Sequence, residues 1–459
     1  MHAARRAPIL PPMSEARGAP RSDPAPTAEE KEEFAARRAR VLEGVSDGGA
    51  VLLPAAPELR IGRDAELRYM PDPELYYLTG WRDGGAVALL DPSDADAPFR
   101  LFVESRDAEV ERWKGPRLGP GEAAERFGAD ATLPLDTLDD HLAGLFARID
   151  TLFYRLGTAE PADRALREAL ARNRKARQRG GVGLATVTDP GRLLDPLRRV
   201  KSPRELALIQ AACDVTVAAF EEARAAAKPG AGEWEVQAAL EAAFRSRGAE
   251  GPAFETIVAG GANAVVLHYT RNAHRLAAGA FVLIDAGARV DMYAADVTRT
   301  WAVDGAVGGP AAELHDVVVR AQRAAIEACR VGGSEASVHE AALAVLRDGA
   351  RDLGVAADAP ASASAEAGGA PHADVIPHRT CHWLGLEVHD VGDYATPDGP
   401  VPLEPGMVLT VEPGLYVPTD HPGAPPELRG VGVRIEDDVV ITEAGARVLT
   451  GALPRGPTR

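Results

Sequence analysis

The sequence predicts an α/β domain followed by a second domain of the α+β class. In the first part of the chain, short strand-like runs alternate with helical segments, which is typical of an α/β unit. In the second part, two helical segments precede several strand-like runs, and this order then occurs again. Between the parts, Ser202 is followed by Pro203 and Glu205, which predicts a capped helix start. The predicted divisions are a disordered tail over 1–28, a first domain over 29–195 and a second domain over 196–459.

The first domain alternates between the two kinds of element. The tail before it is rich in Ala, Pro and Arg without hydrophobic periodicity, which predicts disorder. Helical sequence then begins at Thr27. Predicted strands cover 50–55, 85–91, 99–104 and 151–157, and predicted helices cover 136–148 and 161–174.

The second domain begins with two predicted helices, and its strands carry the polar residues of interest. We expect an Ala/Ser-rich stretch at 356–371 to be a flexible loop. Predicted helices cover 203–227, 233–247, 310–330 and 337–353, the last opened by Ser337. Predicted strands cover 254–261, 281–287, 293–303, 407–414 and 432–442.

Composition excludes several classes of protein. With 51 Lys and Arg against 68 Asp and Glu, the net charge of −17 argues against nucleic acid as a partner. The longest apolar runs are far shorter than the ~18 residues of a membrane span. Three widely spaced cysteines fit a reducing compartment, and the N-terminal apolar run is too short for a signal peptide. We therefore expect a cytoplasmic protein without a membrane partner.

Five residues of the second domain are candidate metal ligands, and each has a simpler alternative. Asp285 ends an apolar strand on the face of buried residues, where an unpaired carboxylate costs several kcal/mol. Its alternative role is to cap a turn, and that of Asp296 is a salt bridge to Arg299. The full set is Asp285, Asp296, His382, Glu412 and Glu436.

Glu436 and the histidines also have ordinary alternatives. Strand alternation places Glu436 on one face with Arg434 and Asp438, which would suit a solvent-exposed strand face. His268 would equally suit a buried histidine with one hydrogen bond. The segment HRTCHWLGLEVHD, however, holds three histidines in a chain that has only 11, which favours a functional cluster: His378, His382 and His389.

Together the five candidates indicate a metal site. Four carboxylates and one imidazole form a hard, oxygen-rich donor set. Their charge of −4 would be neutralised by two divalent cations, which could hold a hydroxide between them. The absence of a cysteine ligand disfavours a structural zinc site.

The chain resembles the pita-bread metallopeptidase family, and within it the aminopeptidase P group. The resemblance extends over nearly the whole chain after the tail. It is carried by LRYMPDPELYYLTG, FVESRDAEVERWKGPRLG and VKSPRELALI, and further by LHYTRN, LIDAG, YAADVTRT, HWLGLEVHDVG, LEPGMVLTVEPGLY and RGVGVRIEDDVVIT. It implies an α/β N-terminal domain and a pita-bread catalytic domain that removes an N-terminal residue preceding proline.

The resemblance also implies the metal ligands. Asp285 would bind one metal through both oxygens, Asp296 and Glu436 would bridge both metals, and His382 and Glu412 would bind the other. The metals would be manganese, with zinc, cobalt or iron as other occupants. A hydroxide between them would attack the peptide carbonyl, with Glu412 as proton shuttle.

Further roles follow from the same resemblance. His268 and His389 would hold or polarise the substrate, and His378 would line the site. Arg434 would orient Glu436. A homodimer or homotetramer is expected, in which Trp113 would reach the substrate site of a neighbouring subunit. Packing against its own domain is the alternative for Trp113.

Two other functions remain open from the sequence. A prolidase, which cleaves only Xaa-Pro dipeptides, uses the same ligands, although the short segment between Glu412 and Glu436 favours an aminopeptidase P. A non-catalytic binding protein on this fold would lack several ligands, whereas all five positions are filled here. Arg379 and Cys381 depart from the family pattern, and their roles are open.

Overall fold

The chain divides into two compact units between Leu197 and Arg198. The structure is a computed structural model that describes residues 25–45, 48–178, 183–305, 307–355 and 375–456. Most of the predicted tail and the predicted flexible loop at 356–371 lie outside these residues. No helix in the described ranges is both long and apolar enough to cross a bilayer.

The N-terminal unit is built on a mixed six-stranded sheet, which confirms the α/β prediction. The strands of this sheet are β1 Gly49–Pro54, β4 Ala86–Leu90, β5 Phe99–Val103, β6 Ala131–Pro134, β7 Thr151–Phe153 and β8 Thr186–Thr188, while β2 Arg60–Ile61 and β3 Ala65–Glu66 pair separately as a two-stranded sheet. The order in the sheet is β6-β5-β4-β1-β7-β8, and the pairs β1–β4 and β4–β5 are antiparallel while the other three are parallel. Its helices are α1 Ala28–Gly44, α2 Pro73–Thr79, α3 Ala108–Lys114, α4 Pro120–Phe127, α5 Leu138–Arg148 and α6 Glu160–Arg177, and α7 Gly191–Arg199 leads into the second unit.

The C-terminal unit has the predicted α+β order of helices, strands, helices and strands. Its helices are α8 Pro203–Ala226, α9 Glu233–Ser246, α10 Pro310–Ala328 and α11 Glu335–Asp352. Its first set of strands is β9 Gly251–Pro252, β10 Ile257–Gly260, β11 Phe281–Ala286, β12 Ala288–Val290, β13 Tyr293–Ala294 and β14 Val297–Ala302. Its second set is β15 Ala395–Thr396, β16 Gly399–Pro400, β17 Val408–Val411, β18 Gly414–Tyr416, β19 Gly432–Arg434, β20 Asp437–Thr442 and β21 Gly445–Val448.

Each half of this unit combines a helix pair with a three-stranded antiparallel sheet. In the first half, α8 and α9 pack on the sheet β10-β11-β14 through a core that includes Phe220, Phe244 and Trp301. In the second half, α10 and α11 pack on β17-β20-β21. The central strands β11 and β20 are buried along almost their whole length, so each sheet is covered on both faces at its centre.

The helix starts follow capping chemistry, with one correction to the sequence prediction. At α8, the Ser202 side chain accepts from the Glu205 amide and Glu205 reciprocates, as predicted. At α11, the predicted start at Ser337 is wrong by three residues. The Ser334 hydroxyl accepts from the Ser337 amide, so Ser334 is the N-cap and Ser337 its reciprocal partner.

At Gly287 a neighbouring backbone segment lies too close for any side chain to be present. It joins β11 to β12, and a Cβ at this position would lie 1.6 Å from the Ala295 carbonyl oxygen. Asp285 and Asp296 stand on either side of this contact in sequence. The strand ends that carry them can therefore approach only with glycine at this position.

We predict that Gly287→Ala destabilises the C-terminal unit by at least about 2 kcal/mol, since the obstructing atom belongs to the backbone and cannot rotate away. Chemical denaturation followed by circular dichroism would measure this. Gly144→Ala is the control, because Gly144 is exposed in α5 and a Cβ added there would have no atom of the other described residues within 4 Å. That variant should be neutral or more stable by roughly 0.5–1 kcal/mol. Equal unfolding midpoints for the two variants would contradict the prediction.

Candidate metal centre

One cavity of the C-terminal unit, of about 690 Å³, collects the five candidate ligands and the three other candidate histidines. Its lining combines apolar side chains with carboxylates and histidines. The lining consists of Phe254, Glu255, Ile257, Leu267, His268, Thr270, Asp285, Asp296, His378, Arg379, Cys381, His382, Val388, His389, Tyr394, Glu412, Arg434 and Glu436. Trp113 is not among these residues; it lies on α3 of the N-terminal unit and is 82% exposed.

One carboxylate oxygen of Asp285 has no hydrogen-bond partner among the described residues. The residue pairs with Thr298 across the β11–β14 ladder, and the buried Arg434 guanidinium donates to its Oδ2. Its Oδ1 is buried and accepts no hydrogen bond from described residues. An unsatisfied buried carboxylate oxygen is costly, and a cation would satisfy it.

Asp296, His382 and Glu436 form the tightest cluster of ligand atoms. One ligand atom from each lies within 4.8 Å of the others. The His382 Nδ1 is 3.0 Å from the Trp383 carbonyl oxygen, which can only accept. In the neutral ring, Nδ1 therefore carries the proton and Nε2 offers its lone pair. That Nε2 lies 3.5 Å from the Asp296 carboxylate, a separation too long for a good hydrogen bond.

Glu412 completes the set from the strand beside the histidine segment. It follows β17, and its amide donates to the Thr380 carbonyl at 2.8 Å. The Thr410 amide likewise donates to the His382 carbonyl at 2.9 Å, so the two segments run paired. The Glu412 carboxylate then lies between two rings, with Oε1 3.7 Å from His382 Nε2 and Oε2 3.6 Å from His378 Nδ1.

The carboxylates raise one another's pKa values. Burial, followed by repulsion from Asp285 and other carboxylates, raises the pKa of Asp296 well above its ordinary value. Burial and the charge of Asp296 do the same for Glu436. Burial raises the pKa of Glu412 to about 7. Deprotonated together, these groups would need compensating positive charge, which divalent cations supply. The donor set therefore fits hard divalent metal ions.

A threonine connects the supporting arginine to Glu436. The Thr298 hydroxyl accepts from Arg434 Nε at 3.0 Å and donates to Glu436 Oε2 at 2.7 Å. Arg434 thus contacts Asp285 directly and reaches Glu436 through this hydroxyl. Behind the cluster, the Asp438 carboxylate accepts from the Asp296 amide at 3.1 Å, which fixes the backbone of that ligand.

The other candidate histidines differ in their surroundings. Burial lowers the pKa of His378 to about 4, so the ring is neutral near pH 7. Its Nδ1 donates to the Arg379 carbonyl, and its Nε2 accepts from the Tyr416 hydroxyl at 2.9 Å. The His389 ring packs edge-on against His382 with centroids 4.4 Å apart. His389 and His268 are both exposed in the cavity, which excludes the buried alternative for His268.

The alternatives for Asp296 and Glu436 are also excluded. Arg299 pairs with Asp437 at 2.7 Å, and both side chains are completely buried. Glu436 is 2% exposed, so it does not lie on a solvent-exposed face. Arg299 also donates to the carbonyls of Leu453 and Pro454, while Arg455 pairs with Asp437. The residues next to Glu436 are therefore fixed by the C-terminal segment.

Three supporting residues escaped the sequence analysis. Thr298 lies two positions after Asp296, where strand alternation could have revealed it. Thr410 lies two positions before Glu412 in the same way. Tyr416 connects His378 to Arg434, donating to the former and accepting from the latter at 2.8 Å. No pattern in its sequence context indicated this role.

Comparisons with known proteins agree with this site. Residues 207–443 match the model of metallopeptidase family M24, and residues 34–154 match that of the aminopeptidase P N-terminal domain. The chain is 35% identical to the Xaa-Pro aminopeptidase of Escherichia coli K12, over 93% of this chain and 96% of the relative. Two similar solved structures are the aminopeptidase PepP of Pseudomonas aeruginosa and a zinc-substituted E. coli aminopeptidase P in complex with product. Both superpose on this chain with a TM-score of 0.84, and each match covers 93% of this chain and 96% of the solved chain. The sequence identities are 35% and 34%, respectively. The chain therefore belongs to metallopeptidase family M24 and carries the N-terminal domain of the aminopeptidases P.

Proposed function

We propose that this chain is a metal-dependent aminopeptidase that removes the N-terminal residue from peptides with proline in second position. The observation that carries the proposal is the convergence of four carboxylates and one imidazole in one cavity, where a buried Asp285 oxygen has no hydrogen-bond partner in the described part of the chain. The similarity to Xaa-Pro aminopeptidases over nearly the full length of both chains supports the substrate class.

Five residues would hold the metal. We assign Asp285 to one divalent ion, His382 and Glu412 to the other, and Asp296 and Glu436 to both, with Mn²⁺ as the preferred ion and Zn²⁺, Co²⁺ or Fe²⁺ as alternatives. When bound, such ions supply Lewis acidity and acidify a water molecule. Arg434 and Thr298 keep the Asp285 and Glu436 carboxylates in place.

The remaining residues of the site bind substrate and move protons. Glu412 projects between His378 and His382 and can carry a proton from the attacking water to the leaving nitrogen. His268 and His389 present exposed rings to the cavity, where they can donate to the carbonyl oxygen as it gains charge. The neutral His378 fixes the Tyr416 hydroxyl, which in turn accepts from Arg434.

The lining of the cavity is compatible with proline as the second residue of the substrate. The peptide nitrogen of proline carries no hydrogen, so the enzyme cannot recognise the substrate through a hydrogen bond donated by that nitrogen. The apolar residues of the lining can contact the pyrrolidine ring; they are Phe254, Ile257, Leu267 and Val388. Recognition would then rest on ring shape and on the free amine.

The cellular setting is a further part of the proposal. All three cysteines are unpaired, which is compatible with the cytoplasm as the compartment of this protein.

We propose a homodimer or homotetramer, because symmetric homo-oligomers are the commonest form of oligomer. A tryptophan that is 82% exposed, such as Trp113, does not pack against its own domain and suits contact with a neighbouring subunit and its substrate.

We expect manganese-loaded enzyme to cleave an Xaa-Pro-Yaa tripeptide and release the free N-terminal residue, measured by chromatography of the products. Cleavage of the Xaa-Pro dipeptide alone would instead identify a prolidase. Failure to cleave either peptide with two metals bound would overturn the proposal, and fewer than one bound metal per chain would favour a non-catalytic binding protein.

Glu412→Ala and His382→Ala should each reduce turnover by about 1,000-fold or more while the fold is kept, because each removes a ligand and Glu412 also removes the proton carrier. Metal content by mass spectrometry should fall in both variants, with circular dichroism spectra unchanged. His141→Ala, an exposed histidine of α5, is the control and should retain both metal and activity. Normal activity in either cavity variant would refute the assignment of that ligand.

His389→Ala should lower kcat by roughly 10²–10³-fold with the metal retained, because its ring contacts the substrate and not the ions. Paired measurements of kcat and metal content distinguish the two roles. Loss of metal from this variant would show that His389 is itself a ligand.

A further inference from the structure

Only two cationic side chains, Arg379 and Arg434, line the cavity among the described residues. Arg434 is buried, and its nitrogen atoms are engaged by Asp285, Thr298 and Tyr416. Arg379 differs, because 57% of its side chain is exposed. It is therefore the cation that an incoming ligand would meet at the opening.

Glu335 holds the Arg379 guanidinium by one edge. Arg379 Nε and Nη2 donate to Glu335 Oε1 at 2.8 and 2.6 Å, and Nη2 also donates to Oε2 at 2.5 Å. Glu335 is 2% exposed at the start of α11, so this anchor is rigid. Nη1 makes no hydrogen bond with any described residue, and the second edge of the guanidinium is left for another acceptor.

This arrangement prepares the guanidinium for binding. The long arginine side chain has already lost its rotamer freedom to Glu335, so little further entropy is lost when a ligand binds. The backbone is fixed as well, since the His378 ring donates to the Arg379 carbonyl. Arg379 thus stands directly beside a histidine of the centre and three residues before His382.

We propose that Arg379 is a specificity-determining residue that binds a substrate carboxylate located beyond the scissile bond; this inference rests on the proposed aminopeptidase function. The amine-terminal residue must reach the buried carboxylate cluster, so the distal part of the peptide points to the opening. Arginine is the side chain best suited to a carboxylate there. The carboxylate is either the C-terminus of a short peptide or an acidic side chain after proline.

The first test compares three substrates with manganese-loaded enzyme: Ala-Pro-Gly, its C-terminal amide, and the amide Ala-Pro-Asp-NH₂. A charge-assisted hydrogen bond should favour a carboxylate substrate over the neutral amide in kcat/KM by about tenfold or more, mainly through KM. Preference for Ala-Pro-Gly assigns the site to the C-terminus, and preference for Ala-Pro-Asp-NH₂ assigns it to an acidic side chain.

The second test removes the cation without leaving a buried charge. In the double variant Arg379→Gln/Glu335→Gln, two amides can replace the ion pair, which avoids an unpaired carboxylate at position 335. The acid-to-amide ratio of kcat/KM should fall to near one. Arg351→Gln is the control, because Arg351 is exposed on α11, the helix that carries Glu335, and pairs with Asp348. The acid-to-amide ratio of kcat/KM in this variant should equal that of the unmodified enzyme.

The outcomes separate this inference from the function on which it rests. Cleavage of all three peptides at similar kcat/KM by the unmodified enzyme would overturn the role of Arg379 while leaving the aminopeptidase intact. An equal loss of kcat/KM on the acid and amide substrates in the double variant, with their ratio unchanged, would show that Arg379 and Glu335 have a structural role only. Cleavage of none of the three would overturn both proposals together.

Discussion

The burial of several carboxylates close to one another is the constraint on which this site depends. Removal from water, and then repulsion between the carboxylates, raises the pKa values of Asp296 and Glu436 well above their ordinary values. A chain without a use for this cluster would gain stability by replacing it with apolar residues. The positive groups nearby, chiefly Arg434, satisfy only part of the charge. The site therefore carries excess negative charge when its carboxylates are ionised, and bound divalent cations would neutralise that charge.

The site also depends on both halves of the C-terminal unit. The first half supplies Asp285 and Asp296, and the second half supplies His382, Glu412 and Glu436. The halves are joined directly at the site, since the Glu436 amide donates to the Thr298 carbonyl and the Thr300 hydroxyl donates to the Arg434 carbonyl. Ligand geometry is thus set by backbone pairing, which is more rigid than a set of loops would be.

The order of elements could be predicted from the sequence because strand alternation and capping patterns are local. Strand alternation also predicts that Asp285 lies among buried residues and that Arg434, Glu436 and Asp438 share one face. The same pattern predicts a single strand over 432–442, whereas β19 ends at Arg434 and β20 begins at Asp437. Contacts between distant segments could not be predicted in this way. Tyr416 is an example, because nothing in its local sequence indicates that its hydroxyl will lie between a histidine and an arginine. The start of α11 was misplaced because two serines three residues apart both suit an N-cap.

The hydrogen-bond and ion-pair network around Asp437 makes residues 453–455 part of the support of the site. Arg299 donates to the carbonyls of Leu453 and Pro454, and Arg455 pairs with Asp437. These three residues follow all five candidate ligands in the sequence. A truncation after Thr450 would therefore keep the complete donor set and still remove the contacts that hold Arg299 and Asp437 in place beside Glu436.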